Sequence, residues 1–121
     1  MGLLKDITLT GTTDASGDLT INATQSVFGW LESVEWIDGT LDDGVDAVIS
    51  IQSTPSGVAR TILTLTNAND DAWYQPRVAE HGTTGTAGAT TTRIMLKGTP
   101  RLVISSGGNA KTGGCVLHYF D

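Results

Sequence analysis

Residues 3–24, LLKDITLTGTTDASGDLTINAT, decide the fold class. In the first half Ile7 and Leu9 fall on one side of an extended chain and Thr8 and Thr10 on the other. After a turn-rich stretch from Gly11 to Gly17, Leu19, Ile21 and Ala23 alternate with Thr20, Asn22 and Thr24. A two-residue period is that of a strand with one buried face; on a helix the same residues would scatter around the circumference. The spacing predicts two strands, and the turn between them makes a hairpin the natural pairing.

The same grammar continues outward. From Val27 to Ile37 the large residues Phe28, Trp30, Val34 and Trp36 hold even positions and Glu32 interrupts them, which predicts one long strand with a bulge or bend, ending at the turn dipeptide Asp38-Gly39. Trp30 and Trp36 are expected in the core. Beyond an acidic loop, Val45 to Gln52 places Ala47, Ile49 and Ile51 inward; Pro55 to Gly57 turns the chain, and Ala59 to Thr66 is the partner, with Leu63 and Leu65 toward the core. Three closing runs follow, Arg93 to Lys97, Arg101 to Ser105 and Gly114 to Phe120. The last two are joined by what reads as a hairpin loop, with Asn and Gly supplying positive φ angles. Asn67 to Thr92 reads as irregular, and its Gly, Ala and Thr-rich part from Gly82 to Thr92 carries too little apolar area to order itself in isolation. The sum is about eight strands and almost no helix, in line with 19 threonines and 15 glycines. Parallel strands would need crossover helices, so the expected fold is all-β: a single antiparallel β-sandwich over residues 1–121, jelly-roll-like.

Composition narrows function. At 121 residues one core is expected. The net charge of −6 and the scattered Lys5, Arg60, Arg77, Lys97 and Arg101 argue against a phosphate-tracking surface, so no nucleic acid is expected. No window approaches the roughly 18 apolar residues of a spanning helix, and residues 1–16 lack a signal-peptide pattern; production in the cytoplasm without membrane partnership is the expectation. The single cysteine, Cys115, excludes an internal disulfide and any zinc site with two sulfur ligands.

Catalytic constellations are hard to find. The histidines are His81 and His118, no Gly-x-Ser-x-Gly elbow is present, and the three-residue spacing of Cys115 and His118 sends them to opposite faces of a strand. Asp42-Asp43-Gly44-Val45-Asp46 lacks the alternate ligands and closing Glu of a calcium loop, and reads as a solvated turn. Glu32 and Glu35 read as an exposed edge, and the Lys111-Thr112 segment lacks the spacing of a phosphate loop. No enzyme, cofactor or metal is expected. Trp73 and Tyr74, in the irregular segment, have the character of interface anchors, of a sugar platform, or of a cap on one end of the sandwich.

Three segments together resemble a known group: the amino-terminal Ile7-Thr8-Leu9-Thr10 run; Leu63 to Asn69 followed by Trp73-Tyr74-x-Pro76-Arg77; and the closing Leu102 to Gly113. The chain is similar to small virion structural proteins of tailed bacteriophages, of the capsid decoration (cement) type. That resemblance implies a compact β-sandwich that binds the outer surface of the major capsid protein shell and stabilises it, assembled in the host cytoplasm and resident on the virion, with the chain also a homo-oligomer, dimer or trimer. Met1 to Asp6, including Leu3 and Leu4, and Asn67 to Thr92, including Trp73, Tyr74, Arg77 and His81, are the expected contacts. A tail or other virion component, or a carbohydrate-binding module using Trp73 and Tyr74, is the alternative.

Overall fold

A computed structural model describes residues 2–121; Met1, part of the amino-terminal contact segment expected above, lies outside the described residues. Ten strands follow in chain order: β1 (Leu4–Thr12), β2 (Leu19–Asn22), β3 (Val27–Ile37), β4 (Asp46–Ser53), β5 (Ala59–Leu65), β6 (Ala72–Tyr74), β7 (Arg77–His81), β8 (Ala87–Arg93), β9 (Met95–Ser105) and β10 (Thr112–Phe120). All pairings are antiparallel. Eight strands form two layers in the orders β1-β10-β3-β6 and β2-β9-β4-β5, and the layers join at a corner where the start of β3 pairs with the start of β9. This is the jelly-roll order, with the β7–β8 hairpin inserted between its sixth and seventh strands.

Several local expectations give way to this order. β1 and β2 are not a hairpin: β2 pairs with β9, and the Leu19 and Ile21 side chains instead pack over Gly11 from the opposite layer. The connection over residues 13–18 is long enough to cross between layers, whereas a two-residue turn would have forced pairing. The runs 93–97 and 101–105 are not separate strands but one, β9, which changes partner along its length. Met95–Gly98 pairs with β3 and Arg101–Ile104 with β2, while the other edge follows β4 from Gly98 to Ser105. Pro100, with no N–H to give, sits at the change of partner, where its carbonyl accepts from Ala23 N–H at 2.9 Å. Nor is 106–111 a hairpin loop: β9 and β10 lie in different layers. Positive φ is taken there by Ser106 (58°), Gly108 (87°) and Ala110 (54°) rather than by Asn109. Buried Thr13 ties this crossing down, its hydroxyl donating to Gly108 O at 2.5 Å and accepting from Lys111 N–H at 2.9 Å.

The core lies between the layers. Leu9, Leu31, Val34, Trp36, Cys115 and Leu117 come from one side, and Ala47, Ile49, Ile51, Leu65, Leu96, Leu102 and Ile104 from the other. Trp36 is fully buried and its indole N–H donates to Ala68 O at 3.0 Å. Ala47, Ile49 and Ile51 face inward as their alternation predicts. In β5 a register shift opposite Ile49 and Ser50 brings Ile62 into the core and leaves Leu63 half-buried.

The bulge in β3 is real, and it overturns the expectation for Trp30. Along β10 the partner jumps from Ser33 (opposite His118) to Leu31 (opposite Tyr119), so Glu32 is the extra residue. One inserted residue reverses the side-chain parity of a strand. After the bulge the even residues Val34 and Trp36 point inward; before it the odd residues Val27 and Leu31 do, and Phe28 and Trp30 are turned to solvent.

Residues 67–92 are more ordered than their composition suggests. Trp73 and Tyr74 belong to β6, which pairs with β3. Arg77 and Arg93 face each other at the base of the β7–β8 hairpin, and both reach the bulge residue. The Arg77 guanidinium donates to Glu32 O at 3.2 Å and to Pro76 O at 2.9 Å, and Arg93 pairs with the Glu32 carboxylate at 3.0 Å. Backbone pairing and this clamp supply the order that apolar burial does not.

Candidate protein-docking face

The outward residues of β10 are Val116, His118 and Phe120, since Cys115, Leu117 and Tyr119 point to the core. Register carries this parity across the layer. Leu4 stands opposite Phe120, Phe120 opposite Trp30, and Trp30 opposite Met95, a row across β1, β10, β3 and β9. Phe28 is two residues from Trp30 on the same face. The exposed fractions are those of a surface feature: Leu4 59%, Phe28 52%, Trp30 44% and Met95 49%. Phe120 is half-buried, with the Arg93 guanidinium 5.5 Å from its ring centroid, a cation–π contact.

Further along the same face, Trp73 stands opposite Glu35 on β3 and is 64% exposed. Its indole stacks on the His118 ring, centroids 5.2 Å apart and planes 23° from parallel, and His118 Nε2 lies 3.3 Å from Glu35 Oε1. A cleft of about 190 Å³ opens beside the indole, lined by Glu35, Ile37, Asp71 and Trp73. Of the chain's seven aromatic rings, Phe28, Trp30, Trp73 and Phe120 are therefore gathered on one outer sheet face, while Trp36 and Tyr119 are buried.

Charge is distributed along the sandwich. Four connections meet at the end remote from Phe28 and Trp30: Gly107 N–H donates to Gly17 O, Asp42 N–H to Gly107 O, Ala68 N–H to Val45 O, and Gly44 N–H to Asn69 Oδ1 at 2.7 Å. These connections and the start of β4 carry Asp14, Asp18, Asp38, Asp42, Asp43, Asp46, Asp70 and Asp71, eight of the thirteen carboxylates, with Lys111 the one cation among them. Desolvation, and then repulsion from Asp71, Asp43 and Asp70, raises the Asp38 carboxyl above its ordinary value. The remaining five carboxylates and six cations nearly cancel, so the excess negative charge resides at this end.

The residues singled out from sequence disperse. Leu3 and Leu4 are exposed at the lower edge of the face, near the Lys5–Asp121 ion pair. Trp73 is on the face. Tyr74, one residue on, turns to the interior and packs against the core. Arg77 spends its guanidinium inside the chain on Glu32 and Pro76, and His81 is exposed toward the tip of the hairpin. Phe28, Trp30, Met95 and Phe120 are the residues that sequence reasoning missed as surface. The signal was present in Glu32: carrying the parity reversal through the bulge places Phe28 and Trp30 outside.

Cys115 is fully buried, and burial pushes its thiol up to about 12. It faces the core while His118 faces outward, so the two do not meet. Among the described residues no three His, Cys, Asp or Glu side chains come together as a metal site.

No protein-family profile matches the sequence, and no curated protein matches it. Among solved structures the chain is similar to an exo-β-1,3-galactanase from Phanerochaete chrysosporium, crystallised with galactose, at 14% identity and a TM-score of 0.35. The match covers 98% of this chain and 29% of that one, and at this level it carries no argument about fold or activity.

Proposed function

We propose that this chain is a capsid decoration protein of a tailed bacteriophage, which docks on the outer surface of the major capsid shell through the aromatic face of its β1-β10-β3-β6 layer. The observation that carries the docking is the concentration of four exposed or half-exposed aromatic rings, with Leu4 and Met95, on one sheet face. About half of each of the four aromatic side chains, at roughly 150–250 Å² apiece, together with Leu4 and Met95 leaves on the order of 500 Å² of apolar surface, near the upper limit of what a monomer shows. Aromatic side chains of this kind anchor protein interfaces. The phage shell as the partner comes from the sequence resemblance, and the jelly roll, common in viral coat domains, agrees with it by analogy of fold. A face of this size binds modestly once, and repetition over a symmetric lattice, with copies as dimers or trimers, multiplies that affinity.

The test is to mix the protein with expanded, undecorated capsids and image the pelleted particles by electron microscopy. Regular extra density with the Phe28–Trp30 face toward the shell is expected, and the double variant Phe28→Ser, Trp30→Ser should leave the shells bare while remaining folded. Bare shells with the unaltered protein would overturn the reading and favour a tail component or a carbohydrate-binding module.

A further inference from the structure

The cleft beside Trp73 has a composition that the apolar row lacks. One wall is an indole held in place twice, by main-chain pairing of β6 on β3 and by stacking on His118. The other walls carry two carboxylates, each with one oxygen committed: Glu35 Oε1 to His118, and Asp71 Oδ1 to Asp38 N–H at 2.8 Å. Among the described residues the second oxygen of each has no hydrogen-bond partner. The cleft volume of about 190 Å³ equals roughly six waters at about 30 Å³ each, room for a guanidinium or ammonium head.

We propose that this cleft receives a cationic side chain, arginine or lysine, presented by the protein on which the face docks. The inference rests on the docking reading for the source of the cation, and its chemistry stands on three observations. A cation over an indole face is the strongest cation–π pairing among the aromatic side chains. The chain already uses this combination within itself: Arg93 lies over Phe120 and pairs with Glu32, a ring and a carboxylate holding one guanidinium. Trp73, Glu35 and Asp71 offer the same combination, and among the described residues no Lys or Arg side chain pairs with them. The cleft also borders the acidic end, where Asp38, Asp70 and Asp71 gather, and desolvation and then the charge of its neighbours raise the Asp38 carboxyl, so an incoming cation is favoured by the local field. A neutral sugar could stack on Trp73 but would gain nothing from that field.

Titrating the protein with arginine amide, lysine amide and methyl β-galactoside, while following the Trp73 indole N–H by NMR, tests this. The Trp30 and Trp36 indoles are internal references. Both amides should move the Trp73 signal saturably, added salt should weaken the effect, and Glu35→Gln should lower the affinity about tenfold. Asp71→Asn, in a loop rather than a strand, provides a second variant if Glu35→Gln fails to fold. The proposal is overturned if the cations leave Trp73 unmoved, if the galactoside alone moves it, or if both variants respond like the parent. A failed titration with decorated capsids removes only the cation slot. A successful titration with bare capsids keeps the slot's chemistry and overturns the shell as the source of the cation.

Discussion

Trp30 and Trp36 are the same side chain six residues apart on one strand, and the bulge at Glu32 gives them opposite fates. Trp36 fills the centre of the core and donates to Ala68 O. Replacing Trp36 with Ala should cost about 3–5 kcal/mol through the cavity and the orphaned carbonyl, whereas Trp30→Ala should stay within about 1 kcal/mol. Urea unfolding of the two variants measures the difference, and equal costs would return Trp30 to the core. Cys115 makes a chemical counterpart at the same scale. Its ordinary thiol value is 9.0 and burial pushes it to about 12, so the folded chain should ignore a thiol reagent that labels the urea-unfolded chain at once. Above pH 9 the unfolded thiol releases its proton while the folded one keeps it. Stability therefore falls as pH rises through that window, which pH-dependent urea midpoints would show, and Cys115→Ala should remove that slope.

The β7–β8 hairpin shows how an element with little apolar burial is kept in place. A two-stranded ribbon alone is marginal in water, and β8 is exposed along its whole length. What anchors it is the pair Arg77 and Arg93 on the backbone and carboxylate of Glu32. Glu32→Ala should speed amide exchange over residues 78–92 and leave the protection of β9 and β10 unchanged, with a global cost of no more than about 1 kcal/mol because the ion pair is partly exposed. Equal loss of protection in β9 would show that the hairpin and sandwich open as one unit. Gly98 is the opposite case. It sits at the corner between Val27 and Ser53 with φ of 151°, and a Cβ there would overlap the Gln52 carbonyl. Gly98→Ala should cost more than about 2 kcal/mol or prevent folding, as circular dichroism and urea titration would record.

For the whole molecule the decisive property is its electrical polarity, with a carboxylate-rich end and a nearly balanced remainder. Repulsion within that end works against the folded state. Because the folded Asp38 carboxyl is raised above its ordinary value, by desolvation first and by neighbouring carboxylates second, the folded chain takes up this proton before the unfolded one as pH falls, and stability should rise on mild acidification below neutral. Added salt at neutral pH should raise the melting temperature in the same direction by screening. A melting temperature that falls monotonically below neutral pH, with no response to salt, would remove this repulsion as a significant force.

The fold class was legible without coordinates because period-two alternation is a local property: Leu19 to Thr24 and Ala47 to Ile51 declare a buried and an open side wherever their partners lie. Absence of helix, the strand character of most segments and the bulge at Glu32 belong to the same local grammar. Partner choice does not. That β2 joins β9 rather than β1, that 93–105 is one strand with two partners, and that residues 77–93 form an anchored hairpin depend on how loops cross between layers, and short sequences carry no record of that. The aromatic face was illegible for a related reason. Leu4, Trp30, Met95 and Phe120 lie far apart in sequence, and only the register of four strands, with the parity reversal at one inserted residue, sets them in a row.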